Sequence, residues 1–376
     1  MLEDAFLLAT VSLCILYFLN AVFLGYGLRL WLKPGRQINA WTPKVSVILP
    51  ARNEEQLLAQ SLESLVNLDY PSELLEIIVV DDRSTDATFE IASSFAAQSR
   101  EIRTLKVQEI RAGLNGKANA IEEGVQHAKG EVIFITDADC HVPASWIRAH
   151  LKFYKNEVGM VGGITLLTER HKRASLFARL QSLDWLYLCG VGGGAAALGA
   201  PLSVFGNNFS FRKQAFREVG GFIGAGFSVI EDFALMRAIQ RRTKWEIALP
   251  AVPEIVVQSR PASSFKQFFH QRKRWVLGGR QVSAVGFVLL SIGALGKIFP
   301  FGAMLSGETL IGALCLGVTA FADWMLAGMT ARQIRRRDQL KPILLFFPFT
   351  LIYSTMFLPI FIFSRSVKWK GRKYDV

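Results

Sequence analysis

The sequence predicts an α/β domain built on a parallel sheet and carried by membrane segments, and three observations point there. Strand-like apolar runs alternate with helical stretches between residues 44 and 140, the spacing of βαβ units. Two of those runs stop abruptly at aspartates. Residues 5–28 and three later blocks, at roughly 282–303, 305–329 and 343–363, are apolar over lengths that suit a bilayer.

Residues 5–28 carry no charge and lack the short apolar core and small-residue cleavage site of a secretory signal, so residues 1–36 read as a retained anchor. Lys44–Pro50 is a strand by its apolar run and its proline stop. Ala51-Arg52-Asn53-Glu54-Glu55 reads as the opening of a helix with acids in its first turn, where the dipole favours them. Leu74–Asp82 is a second strand ending in two aspartates, and Ser84, Thr85 and Asp86 offer an N-cap for a helix through about Gln98. A third helix follows Gly113–Ala120, where glycines let backbone approach a ligand and Lys117 offers a cation for phosphate; a flexible loop before an alanine-rich helix is the plainer reading.

Val132–Thr136 has the composition of a short buried parallel strand, and Asp137 and Asp139 follow it one residue apart. In an open α/β sheet the C-terminal edge of the strands is where ligands bind. Two aspartates projecting from a turn there suit a divalent cation, Mg2+ or Mn2+, clamped onto phosphate oxygens. Taken alone, the pair is equally a polar turn closing a strand. Asp82 shares that edge. Farther on, Phe205–Arg212 reads as a small strand, Phe227–Asp232 sets an acidic pair before a helix, and Gln271-Arg272-Lys273-Arg274-Trp275 precedes the membrane blocks.

A net charge of +12 raises the question of nucleic acid, and the distribution of the charge argues against it. Arg29, Lys33 and Arg36 follow the first apolar span, Arg332, Arg335, Arg336 and Arg337 the third, and Arg365, Lys368, Lys370, Arg372 and Lys373 the last. Basic clusters beside apolar spans mark the cytoplasmic side, which puts a domain over 42–280 in the cytoplasm of a multi-pass protein of the cell membrane. Three full spans over 281–364 would leave the basic tail, 365–376, outside; a re-entrant or interfacial block, which Pro348 and Pro359 permit, would return it to the cytoplasm. The four cysteines form no Cys-Xaa-Xaa-Cys pair and the five histidines are scattered, with His141 read as a surface imidazole. Among Lys297, Glu308 and Asp323 in or near the apolar blocks, Asp323 is the best candidate for a polar partner within a helix bundle.

Asp82, Asp137-Ala138-Asp139, Glu231-Asp232 and Gln271-Xaa-Xaa-Arg274-Trp275, in that order over about 44–280, resemble the motif set of the inverting GT-A glycosyltransferases of family 2. The resemblance implies a GT-A fold, the Rossmann-like architecture of nucleotide-diphospho-sugar transferases. It also implies Pro50, Arg52, Glu54 and Asp82 around the nucleoside, Asp137 and Asp139 at the metal and diphosphate, and Asp232 as catalytic base. Gln271, Arg274 and Trp275 would lie by the diphosphate and acceptor.

Sugar transfer needs the leaving diphosphate neutralised, which a metal together with Lys117 or Arg274 can supply, and a carboxylate to take the acceptor's proton. One base with in-line attack inverts the anomeric carbon, and Glu231, pointing elsewhere from the adjacent position, is a poor second nucleophile. The plan of one anchor, a domain, Gln-Xaa-Xaa-Arg-Trp and a few spans is similar to ceramide glucosyltransferase-like and carotenoid glycosyltransferase-like enzymes. It has few spans for a polymer channel.

The expected partners are a nucleotide-diphosphate sugar, a UDP-sugar first, and a membrane lipid acceptor of carotenoid, sphingolipid, diacylglycerol or polyprenyl type. Residues 264–280 mix phenylalanines and a tryptophan with basic residues, as in a helix lying at headgroup level. The competing readings are a processive polysaccharide-type glycosyltransferase, a sugar nucleotidyltransferase, which leaves the last two motifs unexplained, and a non-catalytic membrane scaffold.

Overall fold

A computed structural model describes residues 2–33, 41–169, 174–369 and 372–375; Arg36 and Lys370 of the basic clusters lie outside them. In chain order the elements are α1 (Leu2–Leu30), β1 (Val45–Ala51), α2 (Leu58–Val66), β2 (Leu75–Asp81), α3 (Thr88–Gln98), β3 (Ile102–Lys106), α4 (Gly116–His127) and β4 (Val132–Thr136). Then come α5 (Trp146–Leu151), β5 (Val158–Gly162), β6 (Thr165–Leu167), α6 (Leu176–Ala197), β7 (Asn208–Arg212), α7 (Lys213–Glu218), α8 (Gly221–Ala225) and α9 (Glu231–Arg242). The rest is β8 (Glu246–Ala248), β9 (Val257–Ser259), α10 (Phe265–Gly278), α11 (Ala284–Leu305), α12 (Thr309–Gln333), α13 (Ile343–Phe363) and a hairpin of β10 (Ser366–Trp369) and β11 (Arg372–Asp375).

Two compact units emerge. One comprises Leu32–Thr168 and Ser203–Arg260, the other Met1–Trp31, Glu169–Leu202 and Pro261–Val376.

The first unit is organised by a seven-stranded sheet of order β3-β2-β1-β4-β7-β5-β8. Strands β1 to β4 are mutually parallel, as the βαβ spacing predicts, and β4, wholly buried and rich in β-branched side chains, lies in the middle. The sheet turns mixed at β7, which runs antiparallel to both β4 and β5. That reversal has a functional consequence. Thr136 pairs with Asn208, so the start of β7 meets the end of β4, and the C-terminal edge of the parallel strands gathers Asp82, Asp137 and the Gly206-Asn207 turn.

The stretch after β1 departs from the expected helix. Asn53 adopts a left-handed conformation (φ 53°) and its side chain accepts the Thr85 amide at 2.9 Å. The Glu54 amide donates to Thr88 Oγ1 and that of Glu55 to Asp86 Oδ2, so these residues stitch two sheet-edge loops together and α2 begins only at Leu58. Asp86 accepts the Thr88 amide at 3.1 Å, although the residue at the N-cap of α3 is Ala87.

The second unit is helical. Four of its helices, over Glu3–Leu30, Ala284–Leu305, Thr309–Gln333 and Ile343–Phe363, are long and apolar enough to cross a membrane. Each coincides with an apolar block of the sequence, and α13 runs as one helix through both Pro348 and Pro359. The fifth long helix, α6, was not anticipated. It is largely buried against α1, α12 and α13, and small residues set the approach: a Cβ on Gly27 would lie 2.3 Å from the Gly194 carbonyl oxygen, and one on Gly190 2.2 Å from Thr330 Oγ1.

Candidate active site

Within the sheet unit, the sites predicted from sequence fall on neighbouring loops of one sheet edge. Pro50 is the penultimate residue of β1, and Arg52 and Glu54 follow in the loop. Asp82 is buried with both carboxylate oxygens engaged, Oδ1 by Arg83 Nη2 at 2.6 Å and Oδ2 by Arg52 Nη1 at 3.5 Å. Arg83 holds a left-handed backbone (φ 58°), uncommon for a non-glycine residue and a feature that collects at ligand sites.

Lys117, in the first turn of α4, is the point on which the acids converge. Its Nζ lies 2.7 Å from Asp137 Oδ1 and 3.2 Å from Glu231 Oε1, and donates to the Gly206 carbonyl at 3.0 Å. Burial works to lower its pKa, but Asp137, Glu231 and Asp232 together hold it above the ordinary lysine value, so it is a fixed cation. Asp137 is raised above the usual carboxylate range, first by burial and then by Asp139 and Glu231, with Lys117 opposing. Asp139 accepts from Ser259 Oγ at 3.3 Å, while the backbones of His141 and Gln258 pair and hold that turn against β9. His141 is half-buried, not at the surface as its sequence context suggested.

Glu231 and Asp232 open α9 and are buried. The Asp232 carboxylate lies against Gly206, so closely that a Cβ there would come within 3.1 Å. What brings α9 to Lys117 is Asn115, a residue sequence reasoning did not single out. Its Oδ1 caps α4 by accepting the Ala118 amide at 2.8 Å, and its Nδ2 donates to Ser228 O at 2.8 Å, just ahead of α9. An Asn before Gly-Lys at a helix start was a legible cap; its second bond, to a residue far along the chain, was not.

A divalent cation fits the donors present. Asp137 and Asp139 offer hard carboxylate oxygens, and the burial and the neighbouring Asp139 charge that raise Asp137 both favour a compensating positive charge there. Among the described residues no group of three or more His, Cys, Asp or Glu side chains gathers to hold an ion, so water and phosphate oxygens would complete the coordination. Gln271, Arg274 and Trp275 lie half-buried on α10, in the helical unit, capped at Ser264 by a bond from the Gln267 amide.

Comparison with known proteins bears on the whole arrangement. "Probable glycosyltransferase YdaM" of Bacillus subtilis is 27% identical over 266 residues, 68% of this chain and 61% of that protein. "Beta-monoglucosyldiacylglycerol synthase" of a Nostoc species is 29% identical over 251 residues, 65% of this chain and 51% of that protein. The chain thus spans about half to three-fifths of the length of these curated relatives. The solved mannosyltransferase PcManGT from Pyrobaculum calidifontis, in complex with GDP-Man and Mn2+, superposes with a TM-score of 0.59 at 20% identity, covering 94% of this chain and 98% of that one. At that identity the likeness is one of fold, and the fold is that of a GT-A glycosyltransferase. The model of glycosyl transferase family 21 matches residues 12–376, so the resemblance carried by four motifs resolves to a family, and the chain belongs to glycosyl transferase family 21.

Proposed function

We propose that this enzyme transfers a sugar from a nucleoside-diphosphate sugar, a UDP-sugar, to a hydroxyl of a membrane lipid, with inversion at the anomeric carbon. The observation that carries the reading is the convergence of Asp137, Glu231 and Asp232 around Lys117 at the ligand edge of the sheet. Arg52 and Asp82 line the loops that would receive the nucleoside. Asp137 and Asp139 would hold a divalent cation, which would supply charge neutralisation for the leaving diphosphate. Lys117 adds a preorganised positive charge on the same sheet edge.

Asp232, buried at the start of α9 with its carboxylate against the Gly206 turn, would take the acceptor hydroxyl's proton. With Asp232 as base and Glu231 held by Lys117, the transfer would be a single displacement, and a single displacement inverts. The four apolar helices support an acceptor drawn from the bilayer, as does the name of the Nostoc relative, a synthase of a glucosylated diacylglycerol. The basic clusters support a sheet unit on the cytoplasmic side.

The test is to place the full-length protein in nanodiscs with Mn2+ and UDP-glucose, UDP-galactose or GDP-mannose. Diacylglycerol, ceramide and a polyprenyl phosphate are offered in turn, beside soluble oligosaccharides. A single β-linked sugar on a lipid, from an α-linked UDP-sugar, is the expected product. Transfer only to soluble oligosaccharides, or a product with retained configuration, would refute the reading.

A further inference from the structure

Within the helical unit, the segment Gln271-Xaa-Xaa-Arg274-Trp275 is gripped by one face of α6. Gln181, Asp184 and Trp185 stand at i, i+3 and i+4 and so share that face. Gln181 makes two hydrogen bonds to Ala262, donating from Nε2 to its carbonyl at 3.1 Å and accepting its amide at 2.9 Å, which clamps the backbone just before α10 begins. One turn on, Asp184 Oδ2 lies 2.5 Å from Arg272 Nη2, with both residues 1% exposed. The contact is a charge pair at close range and not an aligned hydrogen bond. The Trp185 ring meets the Trp275 ring at 4.5 Å. The Arg272 guanidinium is enclosed by aromatic faces, with Trp275 at 4.3 Å, Phe268 at 5.1 Å and Tyr353 at 5.6 Å.

Arg272 is one of the two unspecified positions of the motif, so the motif does not explain why it is buried. A buried ion pair in an apolar setting is a poor source of stability, because desolvation of both charges offsets their attraction; its best-attested use is to fix register. The rest of the α10 surface needs such a device. Phe268 and Phe269 pack on Phe349 and Phe357 of α13, and ring-on-ring contacts tolerate small rotations and slides. Turning Arg272 toward Asp184 directs Gln271 and Arg274 about 100° and 160° away around the helix.

We propose that Gln181, Asp184 and Trp185 are positioning residues, and that the Asp184–Arg272 pair sets the rotation of α10 at which Gln271, Arg274 and Trp275 are presented for sugar transfer. This rests on the motif serving the transfer reaction proposed above. Misplacement of such groups by about 1 Å is enough to lower a rate about a hundredfold.

The experiment uses the full-length protein in nanodiscs containing dioleoylglycerol, with Mn2+ and UDP-[14C]glucose. Replacing the pair by apolar residues, Asp184→Leu with Arg272→Met, removes both charges together, so the unfolding temperature should equal or exceed that of the wild type. The kcat should nonetheless fall about ten- to a hundredfold, with the KM for UDP-glucose moving much less. Arg272→Lys, which keeps the charge and loses the planar fork, should lie between the two. A purely structural pair would give a stable double variant with wild-type kcat, and that result would overturn the proposal. Trp275→Ala run in parallel separates the two readings. Wild-type turnover there would mean that the motif itself has no part in transfer, whereas a crippled Trp275→Ala beside a fully active double variant would discard only the positioning role.

Discussion

Lys117 stands differently toward two acids that are adjacent in the sequence. Glu231 is bound to it at 3.2 Å, and Asp232, one residue on, faces the Gly206 turn, so the two should respond differently to substitution. Asp232→Asn should leave binding of the nucleotide sugar nearly intact and lower kcat by roughly two to four powers of ten, the usual worth of a general base. Asp137→Ala should instead weaken donor binding, and chelation should stop turnover; titration calorimetry with UDP and Mn2+ alongside single-turnover rates reads both. Wild-type kcat in Asp232→Asn would dismiss it as the base. A second residue-scale prediction concerns His150, buried beneath β7 with its Nε2 3.2 Å from Asn208 Oδ1. Burial pulls its pKa down to about 3, with the Asn208 bond opposing. Between pH 6.5 and about 3 the unfolded chain therefore takes up a proton that the folded chain refuses, and stability falls with acidification by about 1.4 kcal/mol per pH unit. The unfolding temperature of the wild type should drop more steeply between pH 7 and 5 than that of His150→Gln; parallel curves would show that another group sets the acid limb.

At the scale of elements, the apolar helices are joined through one buried polar cluster. Lys297 of α11 lies 2.8 Å from Asp323 Oδ2 of α12 and donates to Thr350 Oγ1 of α13 at 3.0 Å, while Tyr17 of α1 donates to Asp323 Oδ1 at 2.5 Å. Each of the four helices gives one group. Removing one charge strands the other in an apolar interior, so Asp323→Ala should destabilise the helical unit by about 3–5 kcal/mol, whereas Lys297→Met combined with Asp323→Leu should recover most of that loss. Unfolding temperatures in detergent decide it, and equal losses in the single and double variants would argue against the pair. Asp323 was legible as a bundle partner because an ionisable residue inside an apolar block is costly anywhere else. The strands, the apolar spans and the acids at strand ends were legible for a similar reason, being written in local runs of residues. Three features were not. The antiparallel β7 depends on pairing with strands distant in the chain. The left-handed turn at Asn53 depends on Ser84 and Thr85 across the sheet edge. And α6 has its Asp184 and Gln181 matched by partners on α10 and in the segment before it, so nothing in residues 176–197 alone marks them as part of a helical bundle.

At the scale of the molecule, compactness does not follow chain order. The sequence predicts one domain over 42–280, whereas residues 169–202 and 261–280 group with the apolar helices. The reason lies in what α6 covers and what covers it. Its Gly190 and Gly194 admit Thr330 and the α1 backbone at distances no larger residue allows, Trp31 Nε1 donates to Gly193 O at 2.8 Å, and Ser182 Oγ donates to Gln339 Oε1 at 2.7 Å. Deleting residues 1–40 and 281–376 would uncover that whole face together with the aromatic side of α10, a contiguous apolar surface well beyond the few hundred Å² a soluble monomer tolerates. A chain of residues 41–280 should therefore aggregate or need detergent, even though every strand of its seven-stranded sheet remains. Removing 169–202 and 261–280 as well, by joining 168 to 203 through a short flexible linker and ending at 260, should restore a detergent-free monomer that still binds UDP with Mn2+ through Asp82, Asp137 and Asp139 but transfers no sugar, because Gln271, Arg274 and Trp275 are gone. Size-exclusion chromatography and UDP titration on the two chains give the answer. A monodisperse 41–280 chain without detergent would show that α6 does not need its membrane partners, and sugar transfer by the shorter chain would show that the α10 motif is dispensable.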